Sequence, residues 1–192
     1  MLQTLYLATI LLFFILAFAV RNLKTYLAIG KSIKGKSAKL TTSIALSSTI
    51  YLLIAFRLVF QEPELFLEVN FHNHNLIPSI GMIMITIGFI FGIFALIAMK
   101  DSWRVGIKYD QKTALVTSGI YRMSRNPYFM SYDVLILGYI LVFPSLILLV
   151  LYLPLVWVFH YMILEEEQYL EGVHGSDYHA YKKRVGRYFS LK

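Results

Sequence analysis

Three polar clusters stand out from an otherwise apolar chain, and their residue types suit the holding of a charged ligand at a bilayer surface. The first is the turn 119–129, where Tyr121, Arg122, Arg125, Asn126 and Pro127 lie directly before a long apolar run. The second is Glu165-Glu166-Glu167, and the third runs from Tyr178 to Arg187. Successive carboxylates at a helix C-terminus repel one another and oppose the helix dipole, so they call for a cation nearby. Either Arg122, Arg125 or residues 182–184 neutralise them, or one carboxylate holds a cationic or hydroxylated part of a ligand. Asn126-Pro127 suits a helix start, with asparagine as cap and proline in the first turn, and a helix start also offers free N–H groups to a carboxylate or phosphate.

The elements that must position these clusters are membrane helices. The chain has 192 residues, 58% hydrophobic and only 15% charged, with a mean hydropathy of +0.63; a soluble domain would be about a quarter charged. An all-α integral membrane protein follows, read as one membrane-embedded domain over 1–192 with three spans in 1–99 and the ligand-binding part in 100–192. Residues 2–20, 42–60 and 79–99 are each long enough to cross a hydrocarbon core of about 30 Å. Residues 133–164 are too long for one ordinary span and carry Pro144 near the middle, which predicts a helical hairpin turning at residues 143–145. That hairpin returns Arg125 and Glu166 to the same membrane level. Five spans result, followed by an extension that stops at Gly175 and a short helix with Tyr178, Tyr181 and Val185 on one face.

The formal charge of +7 follows this topology, which speaks for a membrane partner and not for nucleic acid. The loops 21–39 and 100–118 are rich in lysine and arginine while 61–78 has none, so the N-terminus is expected outside and the C-terminus in the cytoplasm. Arg57 is the exception, expected to snorkel toward Glu62 and Glu64 as an interface anchor. Trp103 suits the interface as well. Gly88 and Gly92 form a small-residue face for helix packing.

Other chemistry is poorly represented. There is no cysteine, hence no disulfide, thiolate metal site or cysteine nucleophile. Glycine-rich phosphate loops, H-E-x-x-H and G-x-S-x-G are missing. His72 and His74 lack a third ligand and read as a solvated loop, so no metal site is expected. His160 reads as a packed residue bonded to a neighbour.

The segment 115–122, then Arg125-Asn126-Pro127-Tyr128-Phe129, Glu166-Glu167, Leu170, Gly175, Tyr178, Tyr181 and Arg184 together resemble the isoprenylcysteine carboxyl methyltransferase and phospholipid methyltransferase group. The resemblance covers residues 102–190 and implies a multi-span enzyme that uses S-adenosylmethionine to methylate a lipophilic small molecule, a lipid or a prenylcysteine-like acceptor. By position it implies that Thr113, Ala114, Leu115, Val116, Tyr121, Asn126, Pro127, Tyr128, Phe129 and Glu166 bind the cofactor, with Arg184 and Glu167 on the catalytic side. The first three spans add only a compatible hydropathy. Asn126 stands where the group has histidine, Phe129 where it has tyrosine, and Met162 where the prenylcysteine enzymes carry a substrate-binding arginine; the last departure argues against a prenylcysteine carboxylate. Two other readings compete: an NADPH-dependent membrane reductase of sterol-reductase type, whose C-terminal pattern is similar, and a non-catalytic membrane scaffold. The sequence leaves the oligomeric state open.

Overall fold

Ser37 and Ser145 each start a helix by accepting a backbone N–H three residues ahead, from Leu40 at 3.0 Å and Leu148 at 3.2 Å. The computed structural model describes residues 1–30, 34–69, 76–107 and 114–189. Among these, five α-helices form the molecule: α1 (Leu2–Ile29), α2 (Ala38–Phe60), α3 (Leu76–Met99), α4 (Pro127–Val142) and α5 (Leu146–Arg184). All but α4 are long and apolar enough to cross a membrane. At 16 residues, α4 is roughly 24 Å long, short of the ~30 Å core; it is the inner arm of the hairpin, which turns at residues 143–145.

Helix α1 runs beyond the expected end at residue 20 because nothing breaks it until Gly30, which adopts the left-handed conformation at φ 66°. Arg21 and Lys24 therefore sit on helix and not in a loop. The fourth helix begins at Pro127, six residues before the apolar run at 133. Large apolar side chains such as Leu52, Val59, Ile97 and Trp157 are exposed around the bundle, the surface a helical protein offers to lipid.

Helix α4 is the packing centre, with Leu135, Ile136 and Tyr139 fully buried. Helix α3 reaches it through glycines. Gly81 faces Gly138, and Gly88 lies against the α4 backbone. A Cβ on Gly88 would stand 2.8 Å from both Ser131 O and Leu135 N, helix backbone that cannot rotate aside. Gly88→Ala is expected to destabilise the fold by about 1–3 kcal/mol, read as a lower unfolding midpoint in detergent. Gly172→Ala, where nothing lies within 4 Å of the new methyl group, is the matched control; it does not lower the midpoint and raises it slightly by replacing a helical glycine.

Each end of the bundle is strapped. At one end the α2–α3 connection docks on the hairpin turn, with Ser145 Oγ donating to Phe66 O at 2.8 Å and Val69 N to Pro144 O at 2.9 Å. This strap returns Glu68 over α2. Arg57 accordingly pairs with Glu68, Nη2 to Oε2 at 3.0 Å, and not with Glu62 or Glu64. At the other end Gly35 N donates to Val105 O at 2.9 Å, and α5 bends at Gly175 (φ 49°, ψ −119°). The bend lays Tyr178, Tyr181 and Val185 against Leu115 and Leu170. His160 hydrogen-bonds the Tyr188 hydroxyl. His72 and His74 lie outside the described residues.

Candidate functional site

Consecutive residues on a helix point about 100° apart, and Glu165, Glu166 and Glu167 accordingly go to three different places. Glu165 pairs with Lys39 at the start of α2. Glu167 turns toward the 119–127 turn and is nearly buried. Its Oε1 accepts from Arg125 Nη2 at 2.8 Å, Arg125 Nε at 3.1 Å and Asn126 Nδ2 at 3.1 Å, and its Oε2 accepts from Arg187 Nη2 at 3.0 Å and Nε at 3.1 Å. Glu166 lines a cavity of about 340 Å³, within the size range of small-molecule sites.

The same network clamps the turn to the chain end. Arg125 Nη1 donates to Val185 O at 2.8 Å, Arg125 N to Gly186 O at 3.0 Å, and the Tyr181 hydroxyl to Tyr121 O at 2.7 Å. These groups lie past residue 164, where the apolar run of α5 has ended, or on the facing turn. Burial pushes the Glu167 carboxyl up, but the hydrogen bonds and charges of Arg187 and Arg125 outweigh it and hold the group below the usual carboxylate range. The bond to Glu167 raises Arg187 in turn. Glu166 shifts the other way: burial raises it, the charge of Arg104 offsets part of the shift, and Glu167 adds to it. Burial, then the charge of Glu166, pushes the Tyr121 hydroxyl well up.

The cavity has two dissimilar ends. Near Glu166 the wall includes Arg104, Tyr121, Tyr178, Tyr181 and Leu115. The Tyr178 hydroxyl is buried there without a hydrogen-bond partner, an orphaned polar atom of the kind a ligand satisfies. An aromatic group comes next, with Trp103 edge-on to Tyr128 at 5.0 Å and Phe18 and Phe14 stacked on Tyr128 at 6.1 and 6.0 Å between ring centroids. Farther along, Phe129, Tyr132 and Phe159 face Ser43, Ser47 and Tyr51 of α2. Ile15 of α1 and Ile44 of α2 also line the cavity while 37% and 39% exposed. The cavity therefore opens sideways between α1 and α2.

Of the positions singled out in the sequence, Ala114, Leu115, Val116, Tyr121, Asn126, Tyr128, Phe129 and Glu166 all line this one cavity. Pro127 is the first residue of α4 and is not in the wall. Thr113 lies outside the described residues. Glu167 sits behind the wall in its ion network. Arg184 is exposed, its Nε donating to Ala180 O at 3.3 Å. Asn126 occupies the cap position of α4 but its side chain does not cap; the amide donates to Glu167 and to Arg187 O at 3.1 Å instead. The carboxylate is the stronger acceptor, and Ser124 Oγ takes the Asn126 N–H at 3.0 Å.

The model of the phospholipid methyltransferase family matches residues 77–177, more than half of the chain. The chain belongs to this family. It is similar to a probable protein-S-isoprenylcysteine O-methyltransferase of Oryza sativa subsp. indica, 23% identical over 154 residues that cover 79% of this chain and 81% of the relative. It is also similar to protein-S-isoprenylcysteine O-methyltransferase A of Arabidopsis thaliana, 26% identical over 157 residues and 80% of each chain. As a member of the phospholipid methyltransferase family with apolar, bilayer-length helices, it is a multi-pass membrane protein of a methyl-transferring enzyme family.

The phospholipid methyltransferase match leaves out α1, α2 and everything after residue 177, yet these parts supply much of the cavity wall. Phe14 and Phe18 of α1, Ser43, Ser47 and Tyr51 of α2, and Trp103 were not legible as site residues. Trp103 is buried, with its indole N–H donating to Asn22 Oδ1 at 2.7 Å, where a surface anchor was expected. One signal existed: Ser43, Ser47 and Tyr51 recur every four residues and so share one face of an apolar helix. Arg187 was missed as the second partner of Glu167 because Arg184 is the arginine in the motif.

Proposed function

We propose that this protein transfers a methyl group from S-adenosylmethionine to a lipophilic acceptor, small molecule or lipid, at the cytoplasmic membrane face. The observation that carries the reading is Glu166, the one carboxylate of three that enters the cavity, beside the orphaned Tyr178 hydroxyl and a row of aromatic faces. These donor and acceptor types fit the cofactor. Glu166 accepts from its ammonium or hydroxyl groups, Tyr178 donates to or accepts from the same end, and the faces of Trp103, Tyr128 and Phe18 suit a cation.

The cofactor supplies a methyl carbon on sulfur; the acceptor's lone pair forms the new bond, the carbon–sulfur pair stays on sulfur as a neutral thioether, and any acceptor proton leaves to solvent. The protein has to align the two partners and exclude water. Trp103, Phe14 and Phe18 exclude water, Glu166 and Tyr121 fix one end, and the opening between Ile15 and Ile44 admits the acceptor from the bilayer. Glu167 acts as a positioning residue through Arg125 and Asn126, while Arg184 contributes surface charge. Because α1 to α5 all serve one cavity or pack on its walls, the chain works as a single domain. Arg21, Lys24, Lys36, Lys39 and Lys100 gather at the cavity end with the α5 extension, which by the positive-inside bias is the cytoplasmic side and leaves the N-terminus outside.

A nicotinamide dinucleotide phosphate is disfavoured at this site, since Glu166 would face its phosphates and Arg125 is already engaged by Glu167. Calorimetry with S-adenosylhomocysteine on protein in lipid nanodiscs tests the reading. Saturable binding is expected, followed by label transfer into a lipid extract under methyl-labelled cofactor. Folded protein that binds neither form of the cofactor would overturn it.

A further inference from the structure

The inner end of the cavity carries hydroxyl groups and no charge. Among the residues lining it, the charged ones are Arg104, Arg125 and Glu166, all at the other end. Tyr132 packs edge-on to Phe159 at 5.1 Å, and Phe159 precedes Glu166 by two helical turns, about 10 Å along α5. Away from Glu166 the wall polarity comes from Ser43, Ser47, Ser48 and Tyr51 of α2 and from Tyr132. Ser43 already donates to Leu40 O at 2.9 Å. Tyr132 is 6% exposed and its buried hydroxyl has only loose partners, the Ser47 and Tyr51 hydroxyls at the edge of hydrogen-bonding reach, with the Tyr51 and Tyr132 rings 5.5 Å apart. A buried hydroxyl with only loosely placed partners gains from a ligand oxygen that completes its hydrogen bonding.

We infer that this inner end is the acceptor subsite, and that it takes a neutral lipophile bearing a hydrogen-bonding oxygen, a hydroxyl or carbonyl group, which satisfies Tyr132 with Ser47 beside it. A carboxylate or phosphate there would lose its hydration against serine and tyrosine hydroxyls with no cation in reach. Arg125, the nearest candidate in the sequence, is already engaged by Glu167, Val185 O and Lys182 O. The inference rests on the methyltransferase reading for the word acceptor, but its binding claim is separable.

The test is a matched isoprenoid series, farnesol, farnesoic acid and farnesene, titrated into protein in nanodiscs with S-adenosylhomocysteine present and empty discs as blank. Farnesol is expected to bind at least tenfold tighter than farnesoic acid. Tyr132→Phe is expected to lower the farnesol affinity about tenfold and leave farnesene unchanged, and Ser47→Ala to act in the same direction. Unchanged S-adenosylhomocysteine affinity in both variants shows that the fold holds; should Tyr132→Phe fail to fold, Ser47→Ala carries the comparison. Farnesoic acid binding as tightly as farnesol, no binding of farnesol, or variants that leave the farnesol-to-farnesene ratio unchanged would each overturn the subsite. Failure of S-adenosylhomocysteine to bind the wild type strikes the methyltransferase reading instead and leaves the series readable.

Discussion

Glu167→Ala is expected to destabilise the protein by about 3–5 kcal/mol, the cost of breaking a buried ion pair from one side, and to lower the unfolding midpoint by roughly 10 °C. Arg125 bears most of this. Its side chain is 7% exposed and Glu167's is 5% exposed, and its other bonds, to Val185 O and Lys182 O, hold it in place without neutralising it. Arg187 is 33% exposed and can turn to solvent. The pH dependence has a definite sign. Glu167 is held below its ordinary value in the fold, so its contribution is present above about 4.3 and is lost as pH falls through the lower folded value. The wild type should therefore lose midpoint on acidification over that window more steeply than the variant. Tryptophan fluorescence of detergent-solubilised protein on heating measures both effects, since Trp103 is buried in the fold. Equal midpoints at neutral pH would show that the network is dispensable.

Glu166→Gln should separate binding from stability. Losing one charge-assisted hydrogen bond to the cofactor weakens S-adenosylhomocysteine binding by roughly 10- to 100-fold. The midpoint is expected to stay or rise, because burial disfavours the ionised side chain. Glu165→Gln, whose pair with Lys39 is about two-fifths exposed on both sides, changes neither quantity appreciably. Three neighbouring carboxylates thus give three phenotypes. If Glu165→Gln weakens cofactor binding as much as Glu166→Gln, the cavity-facing assignment is wrong.

Much of the fold was legible because burial in a bilayer leaves a strong one-dimensional signal. The apolar runs, Pro144 with the turn around it, and the lysines and arginines between spans are local features, and the helices follow them to within several residues. The close packing of α3 was visible as glycines at positions 88 and 92, the first lying against the α4 backbone and the second against Phe14 of α1 and Ser131 of α4. Legibility failed where a partner came from far along the chain. Arg57 meets Glu68 because a strap onto the hairpin turn folds that loop back, and no spacing within residues 57–68 announces it. Trp103 reads as an interface aromatic from its neighbours, and only the approach of α1 converts it into buried wall.

What the sequence determined by itself was the membrane class, the helical hairpin and the set of residue types gathered near one surface, since these depend on hydropathy, charge and helix periodicity along a continuous segment. It also placed three carboxylates side by side without saying what each does. Only the tertiary structure decided that Glu165 meets α2, that Glu167 meets Arg125, Asn126 and Arg187, and that Glu166 enters the cavity. The physical reason is rotational: three adjacent residues of one helix point about 100° apart, and their environments are set by which helices pack on each side. The same packing brought α1 and α2, whose one signal in the sequence was the four-residue recurrence of Ser43, Ser47 and Tyr51, into the wall of the site.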